Sequence, residues 1–298
     1  MNNLEQRIAL VRNDREHGSS WLARQAISIL HDLAADETSP AAERVQHFHK
    51  AALALAQARP AMAALTVAVG RILSAPGGLP GAVREAARLL KECDSAVERI
   101  ATYARPLLAG TLMVHSLSGT VLEVLTACAS QIERVIALEG RPRYEGRVMA
   151  RALAERGIAI TLLTDAQADI FLPQCHALVV GADSVLANGD VLNKAGTALL
   201  AWAAHGHKVP FYVLCETLKI SPRPWSGDLA QLEEKEPEEV LEQPIKGVTV
   251  RNFYFDCTPA KLVARIITEQ GLMGRREIKR VTARAMHDEQ ALARIAHQ

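Results

Sequence analysis

The sequence lacks the cysteine spacing of a metal site or of a disulfide-stabilised fold. Its five cysteines are odd in number and widely separated, and none forms a CxxC pair or follows the Cys/His spacing of a zinc site. They are Cys93, Cys128, Cys175, Cys215 and Cys257. Because most of them lie inside apolar segments, we expect reduced, buried thiols and no structural metal ion.

The sequence also has no excess of either charge and no long apolar run. Lysine and arginine total 34 against 33 for aspartate and glutamate, so no overall field favours nucleic acid or an anionic membrane. No apolar run is long enough to span a bilayer, and the N-terminal stretch mixes acids with bases and has no secretory core. We therefore expect a cytoplasmic protein without a membrane or nucleic-acid partner, in which any anion is held by local groups.

The composition is that of a folded protein, with 49% hydrophobic and 22% charged residues. Residues 4–104 carry apolar side chains at helical spacing with many alanines, broken at TSPAA, ARP and APGGLPGA. After Pro106, short apolar runs alternate with helical segments, which is typical of right-handed βαβ units. The sequence predicts an α/β fold, with an N-terminal helical domain at 1–105 and a Rossmann-like doubly wound parallel sheet domain at 106–298.

The last segments of the chain are expected to complete the sheet and to add a helix. GVTVRNFYFDCTPAKLVARIITEQGLM predicts one further strand followed by a helix, and GRREIKRVTARAMHDEQALARIAHQ predicts a trailing helix. The trailing helix carries the basic residues Arg275, Arg276, Lys279 and Arg280, which could contact RNA. In a neutral chain, a solvated helix face is the preferred interpretation.

Candidate functional residues follow the predicted strands, because ligands of a parallel sheet bind at the carboxyl ends of its strands. These positions hold HSLSG from His115, EGRP from Glu139, Asp165, Asp183-Ser184, and ETLK from Glu216. Asp183 is either a turn or cap carboxylate, or else a general base or a ligand of sugar hydroxyls. Position alone leaves both interpretations open.

The neighbours of Asp183 carry further alternatives. Asn188-Gly189 predicts a tight turn. Asn193 and Lys194 either cap the helix that follows or bind a phosphate or polyol at its N-terminus. Arg141 and Arg143 are either surface charges or phosphate ligands. His115 and Ser116 should point to opposite faces of a strand, and no GxSxG motif is present, which argues against a hydrolase triad.

These motifs together resemble a known family. HGSSWLAR, ARP, MVHSLSG, EGRPRYEGR, GADS, NKAGT, ETLK and FDCTPAKLVARIITEQG occur in order along the whole chain. The sequence is similar to the family of the eukaryotic initiation factor 2B alpha, beta and delta subunits and two sugar-phosphate isomerases. It resembles most the ribose-1,5-bisphosphate isomerase branch, followed by methylthioribose-1-phosphate isomerase.

The resemblance implies a function and a set of site residues. Those isomerases convert a cyclic aldose 1-phosphate to an open ketose without a metal or a coenzyme, in a pocket between the helical and Rossmann-like domains. It implies that Asp183 is the catalytic acid/base and that a phosphorylated sugar or a nucleoside monophosphate is the ligand. The residues implied to bind it are Gly18, Ser19, Arg59, Arg141, Asn193, Lys194 and Lys219.

Two positions depart from the isomerase pattern. Ser116 stands where the isomerases have a catalytic cysteine, and His17 stands where they have an arginine. A serine hydroxyl is a much weaker acid than a thiol. The sequence therefore predicts an aldose–ketose isomerase-like protein, with a noncatalytic ligand-sensing protein similar to the regulatory initiation-factor subunits as the alternative. The resemblance also implies a homodimer or a larger homo-oligomer.

Overall fold

The structure, a computed structural model, describes residues 2–296 and begins with a bundle of five helices. These are α1 (Asn2–Asn13), α2 (Ser19–Ala35), α3 (Ala41–Ala56), α4 (Ala63–Leu73) and α5 (Gly78–Ala104). Proline and glycine stand at the interruptions, such as Pro40 at the N-cap of α3 and Gly77, with φ of 99°, before α5. The long α5 packs along α2, and both bury small and branched apolar side chains such as Ala26, Ile27 and Leu89. The helical pattern predicted for 4–104 is confirmed.

The rest of the described chain forms ten strands and five more helices. In chain order they are β1 (Gly110–His115), α6 (Gly119–Ala127), β2 (Ile132–Leu138), α7 (Glu145–Glu155), β3 (Ile160–Leu163), α8 (Ala168–Phe171), β4 (Ala177–Val180), β5 (Ser184–Val185), β6 (Val191–Lys194), α9 (Thr197–Gly206), β7 (Phe211–Leu214), β8 (Phe255–Thr258), β9 (Arg265–Thr268), β10 (Gly271–Met273) and α10 (Arg275–Ala296).

Seven of these strands form the central sheet, in the order β10-β9-β7-β4-β1-β2-β3. All neighbours pair in parallel except β10, which runs antiparallel to β9, and Val114 of β1 lies opposite Ala137 of β2 and Val179 of β4. Apolar side chains from α5, α6 and α7 cover one face of the sheet, and those of α9 cover the other. The predicted doubly wound parallel sheet is confirmed. Its central strands β1, β4 and β7 end side by side.

A second, three-stranded antiparallel sheet, in the order β5-β6-β8, lies beyond the end of β4. The turn between β5 and β6 contains Asn188 and Gly189, and Gly189 has φ of 90°, so the predicted tight turn is confirmed. Asn193 and Lys194 form the end of β6 and pair with Asp256 and Phe255 of β8. They therefore belong to a strand and not to the helix N-terminus at which the sequence placed them.

The prediction for residues 247–273 was wrong in one respect. Instead of one strand and a helix, this stretch contains β8, β9 and β10, and no α-helix is present within it. The β-branched Ile266, Ile267 and Thr268 favour an extended backbone, and β9 pairs with β7 at the edge of the parallel sheet. The apolar spacing that resembled a helix instead reflects a buried strand.

The trailing helix is present as α10, and it returns to the N-terminal helices. It crosses α4 closely at Gly70, where an added Cβ would stand 2.9 Å from the carbonyl oxygen of Asp288. Ala285 and Leu292 join the core of the helical bundle. The domain boundary at residue 105 stays a prediction. The C-terminal helix α10 nevertheless packs against the N-terminal helical bundle, so the predicted second domain contributes to the core of the first.

The basic residues of α10 and the apolar character of the helices can be compared with the predictions about RNA and membranes. Arg275, Arg276, Lys279 and Arg280 are exposed, as a solvated helix face requires. Within residues 2–296, no helix has the length and apolar character needed to cross a bilayer.

Candidate functional site

Polar side chains from the ends of β1, β4 and β7 converge beside the first turn of α2. Two adjoining cavities lie at this edge of the sheet and share Gly18, Leu117 and Asp183 among their lining residues. The first cavity also contacts Arg59, Ser116 and Lys194. The second also contacts Ser19, Asn193 and Lys219. We call the two together the candidate site, and eight of the nine residues predicted from the sequence line it.

Asp183 lies where the two cavities meet, between β4 and β5. Its backbone is fixed because its N–H donates to the carbonyl of Leu192 across the small sheet at 2.9 Å. Burial raises the pKa of its carboxyl group, and this effect outweighs the lowering by Lys219 and Lys194. A carboxyl group with a raised pKa exchanges protons near neutral pH more readily than an ordinary aspartate.

Lys219 is held by a buried carboxylate in the short turn after β7. Its Nζ lies 3.4 Å from Oε2 of Glu216, which also accepts hydrogen bonds from Ser20 at 3.0 Å and, through Oε1, from Thr120 at 2.8 Å. Burial lowers the pKa of Lys219, but Glu216 and Asp183 outweigh it and the net pKa is raised. The pKa of Glu216 is lowered because Lys219 and the two hydroxyl groups outweigh its burial. Both groups are therefore charged.

Ser116 follows β1 directly and has an unusual backbone conformation. It is 5% exposed and has φ of 62°, in the left-handed region that non-glycine residues rarely adopt. The preceding His115 turns away, and its Nε2 lies 2.9 Å from the carbonyl oxygen of Ala195. Burial lowers the pKa of His115, which favours a neutral ring. The expected separation of the two side chains is confirmed, since Ser116 lines the first cavity and His115 lines neither.

Lys194 and Asn193 leave β6 in different directions. Nζ of Lys194 lies 2.8 Å from Oε1 of Glu145, at the start of α7, and 4.5 Å from the ring centre of Tyr254. Nδ2 of Asn193 donates to Oγ1 of Thr197 at 3.0 Å. Both side chains stay next to the candidate site.

Capping of α9 was one of the two roles considered for these residues, and another residue fills it. The carboxylate of Asp256, on β8, accepts hydrogen bonds from the backbone N–H of Gly196 at 2.7 Å and of Ala198 at 3.1 Å. Burial raises the pKa of Asp256 to about 6, against the opposing effect of these two bonds. Asn193 and Lys194 are thereby left free of a capping role.

Gly18 and Ser19 begin α2, with no capping side chain at this helix end. The first N–H groups of a helix need a partner from outside the helix, which is why such ends suit anions. Ser19 is 1% exposed. His17 stacks on Trp21 at 3.9 Å between ring centres and lies 2.8 Å from the carboxylate of Asp14.

Comparisons with known proteins decide the family. The sequence model of the initiation factor 2 subunit family matches residues 15–275. The chain belongs to this family. It is 33% identical over 269 residues to a putative translation initiation factor eIF-2B subunit 2-like protein of Pyrococcus horikoshii, which covers 88% of this chain and 93% of that protein.

Isomerases are among the family members similar to this chain. It is 32% identical over 272 residues to the ribose 1,5-bisphosphate isomerase of Archaeoglobus fulgidus, covering 88% of this chain and 86% of that one. Its fold matches that of 5-methylthioribose 1-phosphate isomerase from Pyrococcus horikoshii with a TM-score of 0.75 at 27% identity, covering 95% of this chain and 87% of the other. The resemblance inferred from the motifs is confirmed.

Two predicted arginines of this family member have different positions. Arg59 lines the first cavity and is 6% exposed, with its Nη2 3.2 Å from Oε2 of Glu233. Arg141 is the predicted site residue that lines neither cavity. It is exposed, and it donates to the Tyr144 hydroxyl at 2.7 Å and to the carbonyl of Val240 at 3.1 Å. Its role in phosphate binding stays a prediction.

Carboxylates around the candidate site were not predicted from the sequence. Glu145 lines the first cavity, and an acidic segment, residues 233–242, supplies Glu233, Glu236 and Glu239 to arginines near its mouth. A run of six glutamates in ten residues was the available signal, although such runs are usually solvated. Across residues 2–296, no group of three or more metal-binding side chains is positioned to hold an ion.

Proposed function

We propose that this family member is a sugar-phosphate isomerase-like protein, of the ribose-1,5-bisphosphate isomerase type, that converts an aldose 1-phosphate to a ketose phosphate. The observation that carries the proposal is the half-buried Asp183, with a raised pKa, beside Lys219 and Lys194 at the junction of two cavities. Relatives named as ribose 1,5-bisphosphate and methylthioribose-1-phosphate isomerases support the reaction class.

The reaction requires two hydrogen transfers. Opening of the sugar ring and formation of the ketone remove hydrogen from C2 and from its hydroxyl group, and return hydrogen to C1 and to the ring oxygen. In the proposed mechanism, Asp183 accepts and returns these protons, because its raised pKa suits both steps. Lys219 and Lys194 donate hydrogen bonds to the sugar oxygens on which negative charge develops.

Ser116 is proposed as the second catalytic group, at the position that the resemblance assigns to a cysteine. Its left-handed backbone conformation is the kind of strain that functional sites retain. A serine hydroxyl loses its proton far less readily than a thiol, so we expect slow turnover. Gly18, Ser19, Arg59, Arg141 and Asn193 are proposed to bind the ligand.

Turnover by the purified full-length chain tests the proposal. α-D-Ribose 1-phosphate and ribose 1,5-bisphosphate would be supplied in deuterated water, and the ketose product and deuterium at C1 would be followed by NMR. We expect slow product formation by the wild type, no product with Asp183→Asn, and faster turnover with Ser116→Cys, by about tenfold or more. Equal behaviour of the wild type and Asp183→Asn would rule out the enzymatic proposal.

The second candidate is a noncatalytic protein that senses a sugar phosphate or a nucleoside monophosphate. It is favoured by Ser116, and by the family members named as translation initiation factor subunits. Thermal-shift titration with ribose 1-phosphate and AMP separates the two candidates: binding without product, in the wild type and in Ser116→Cys, would support sensing. We also propose a cytoplasmic homodimer or larger homo-oligomer, whose mass light scattering would measure.

A further inference from the structure

The four cations that line the candidate site are all neutralised by carboxylates. They occur as the pairs Arg15–Glu236, Arg59–Glu233, Lys194–Glu145 and Lys219–Glu216, with nitrogen–oxygen distances of 2.7, 3.2, 2.8 and 3.4 Å. A phosphate dianion needs cations that are not already paired with carboxylates, or N–H groups that have no other acceptor. The charge balance of the site therefore limits how many phosphate groups a ligand can bring into it.

Of the four carboxylates in these pairs, that of Glu145 lines the first cavity. Its side chain is 17% exposed and that of Lys194 is 13% exposed, so the pair is shielded from solvent. Oε1 contacts Lys194, while Oε2 is buried and has no hydrogen-bond partner among the described residues. A phosphate that reached Lys194 would meet this carboxylate.

Glu233 neutralises Arg59 in the same way that Glu145 neutralises Lys194. Both side chains are buried, at 5% and 7% exposure, and Nε and Nη2 of Arg59 both face this carboxylate. Nη1 of the same guanidinium donates to the carbonyl oxygen of Asp14 at 2.9 Å. The donors of Arg59 are therefore engaged, and an approaching phosphate would have to compete with a buried carboxylate.

The end of the candidate site next to α2 offers backbone N–H groups to a ligand. The N-terminus of α2 at Gly18 and Ser19 has no capping side chain, and it adjoins the second cavity with Asp183 and Lys219. Backbone N–H groups at this end can bind one phosphate without displacing a carboxylate. One phosphate can therefore bind at the N-terminus of α2. At the other end of the candidate site, Lys194 and Arg59 are already paired with carboxylates.

We infer that Glu145 and Glu233 are specificity-determining residues, which restrict the site to ligands with a single phosphate group. The inference rests on the proposed sugar-phosphate function and deepens it. A monophosphate ester places its anion at the N-terminus of α2 and its hydroxyl groups toward Lys194 and Arg59. A bisphosphate ester would place its second anion near the half-buried carboxylate of Glu145 and the buried carboxylate of Glu233.

Isothermal titration of the full-length protein with α-D-ribose 1-phosphate and ribose 1,5-bisphosphate tests this inference. The wild type should bind the monophosphate at least as tightly as the bisphosphate. Glu145→Gln or Glu233→Gln removes one negative charge at similar shape, and either should tighten bisphosphate binding by about tenfold while changing monophosphate binding less than about threefold. Each variant tests the inference by itself, so if one of them does not fold, the other still provides the test.

Glu139→Gln is the matched control. Glu139 pairs with Arg147 at 2.7 Å and has a side chain 15% exposed, and neither member of this pair lines a cavity, whereas Arg59 and Lys194 do, so its loss should not change the affinity ratio. Tighter binding of the bisphosphate by the wild type, or an unchanged affinity ratio in both Glu145→Gln and Glu233→Gln, would overturn the inference and leave the proposed function standing. Binding of neither compound would overturn both.

Discussion

The two rims of the candidate site are built in different ways. On the sheet rim, Ser116, Asp183 and Lys219 each follow a strand, and the sheet hydrogen bonds hold their backbones. On the loop rim, the acidic segment at 233–242 meets arginines of the helical bundle through ion pairs, several of them exposed. The comparison teaches that the sheet positions the reactive groups, whereas the loops set the charge around them.

The largest effect is expected on the sheet rim. Lys219→Met would leave the buried Glu216 and the half-buried Asp183 without their common cation, and loss of one partner of a buried pair costs about 3–5 kcal/mol. Urea unfolding at pH 7 would measure the free energy. Arg251→Met is the control, because its pair with Glu234 has side chains 54% and 42% exposed, so solvent screens it and its loss should change the free energy of unfolding far less. Equal effects of the two substitutions would contradict the buried pairing.

The next test divides the loop rim itself. Arg59→Met should lower the free energy of unfolding by about 2 kcal/mol, because the buried Glu233 then keeps Lys235, 3.1 Å away, as its remaining cationic partner among the described residues. Arg15→Met should cost less than about 1 kcal/mol, because Arg15 and Glu236 are 39% and 50% exposed. Urea unfolding of both variants measures the difference. If Arg15→Met costs as much as Arg59→Met, burial is not what distinguishes the two pairs.

A third test concerns the small sheet that carries Lys194. Asp256→Ala removes the carboxylate that caps α9 and should cost about 1–2 kcal/mol. The folded-state pKa of Asp256, about 6, exceeds the value of about 3.9 in an unfolded chain. The folded protein therefore binds more protons between these values, and this carboxyl group makes the protein less stable as pH rises from about 4 to 6.

The pH dependence has its own control. Asp256→Asn keeps an acceptor for the helix N–H groups but does not ionise, so the loss of stability between pH 4 and pH 7 should be smaller than in the wild type. Thermal unfolding in matched buffers at the two pH values measures this. An identical pH dependence in both proteins would show that Asp256 does not titrate in this range.

The smallest effect is expected at Asp183, and its sign is opposite. Burial raises the pKa of Asp183, so its ionised form destabilises the folded protein above that pKa. Asp183→Asn should therefore raise the free energy of unfolding at pH 8, and the gain should shrink as the pH is lowered and Asp183 becomes protonated. A variant less stable than the wild type at pH 8 would mean that the contacts of Asp183 with Lys219 and Lys194 outweigh its burial.

The sequence predicted the elements whose signals are local. The parallel strands appeared as short apolar runs, and the residue after each strand led to Ser116, Asp183 and Lys219. Within residues 247–273 a helix was predicted in place of a strand, because a buried strand with β-branched residues and a helix give similar apolar spacing. Glu145 and Glu233 were missed because their partners are distant in the chain: the pairs Lys194–Glu145 and Arg59–Glu233 span 49 and 174 residues.

The sequence by itself determined the fold class, the family and the chemical types available to the site, because hydrophobic periodicity and ordered motifs are properties of neighbouring residues. Only the tertiary structure decided the charge state of the site. The pKa of Asp183, the neutralisation of Lys194 and Arg59, and the position of Arg141 outside the cavities all depend on distances between segments that are far apart in the chain. Electrostatic energies depend on those distances and on burial, which no local pattern encodes.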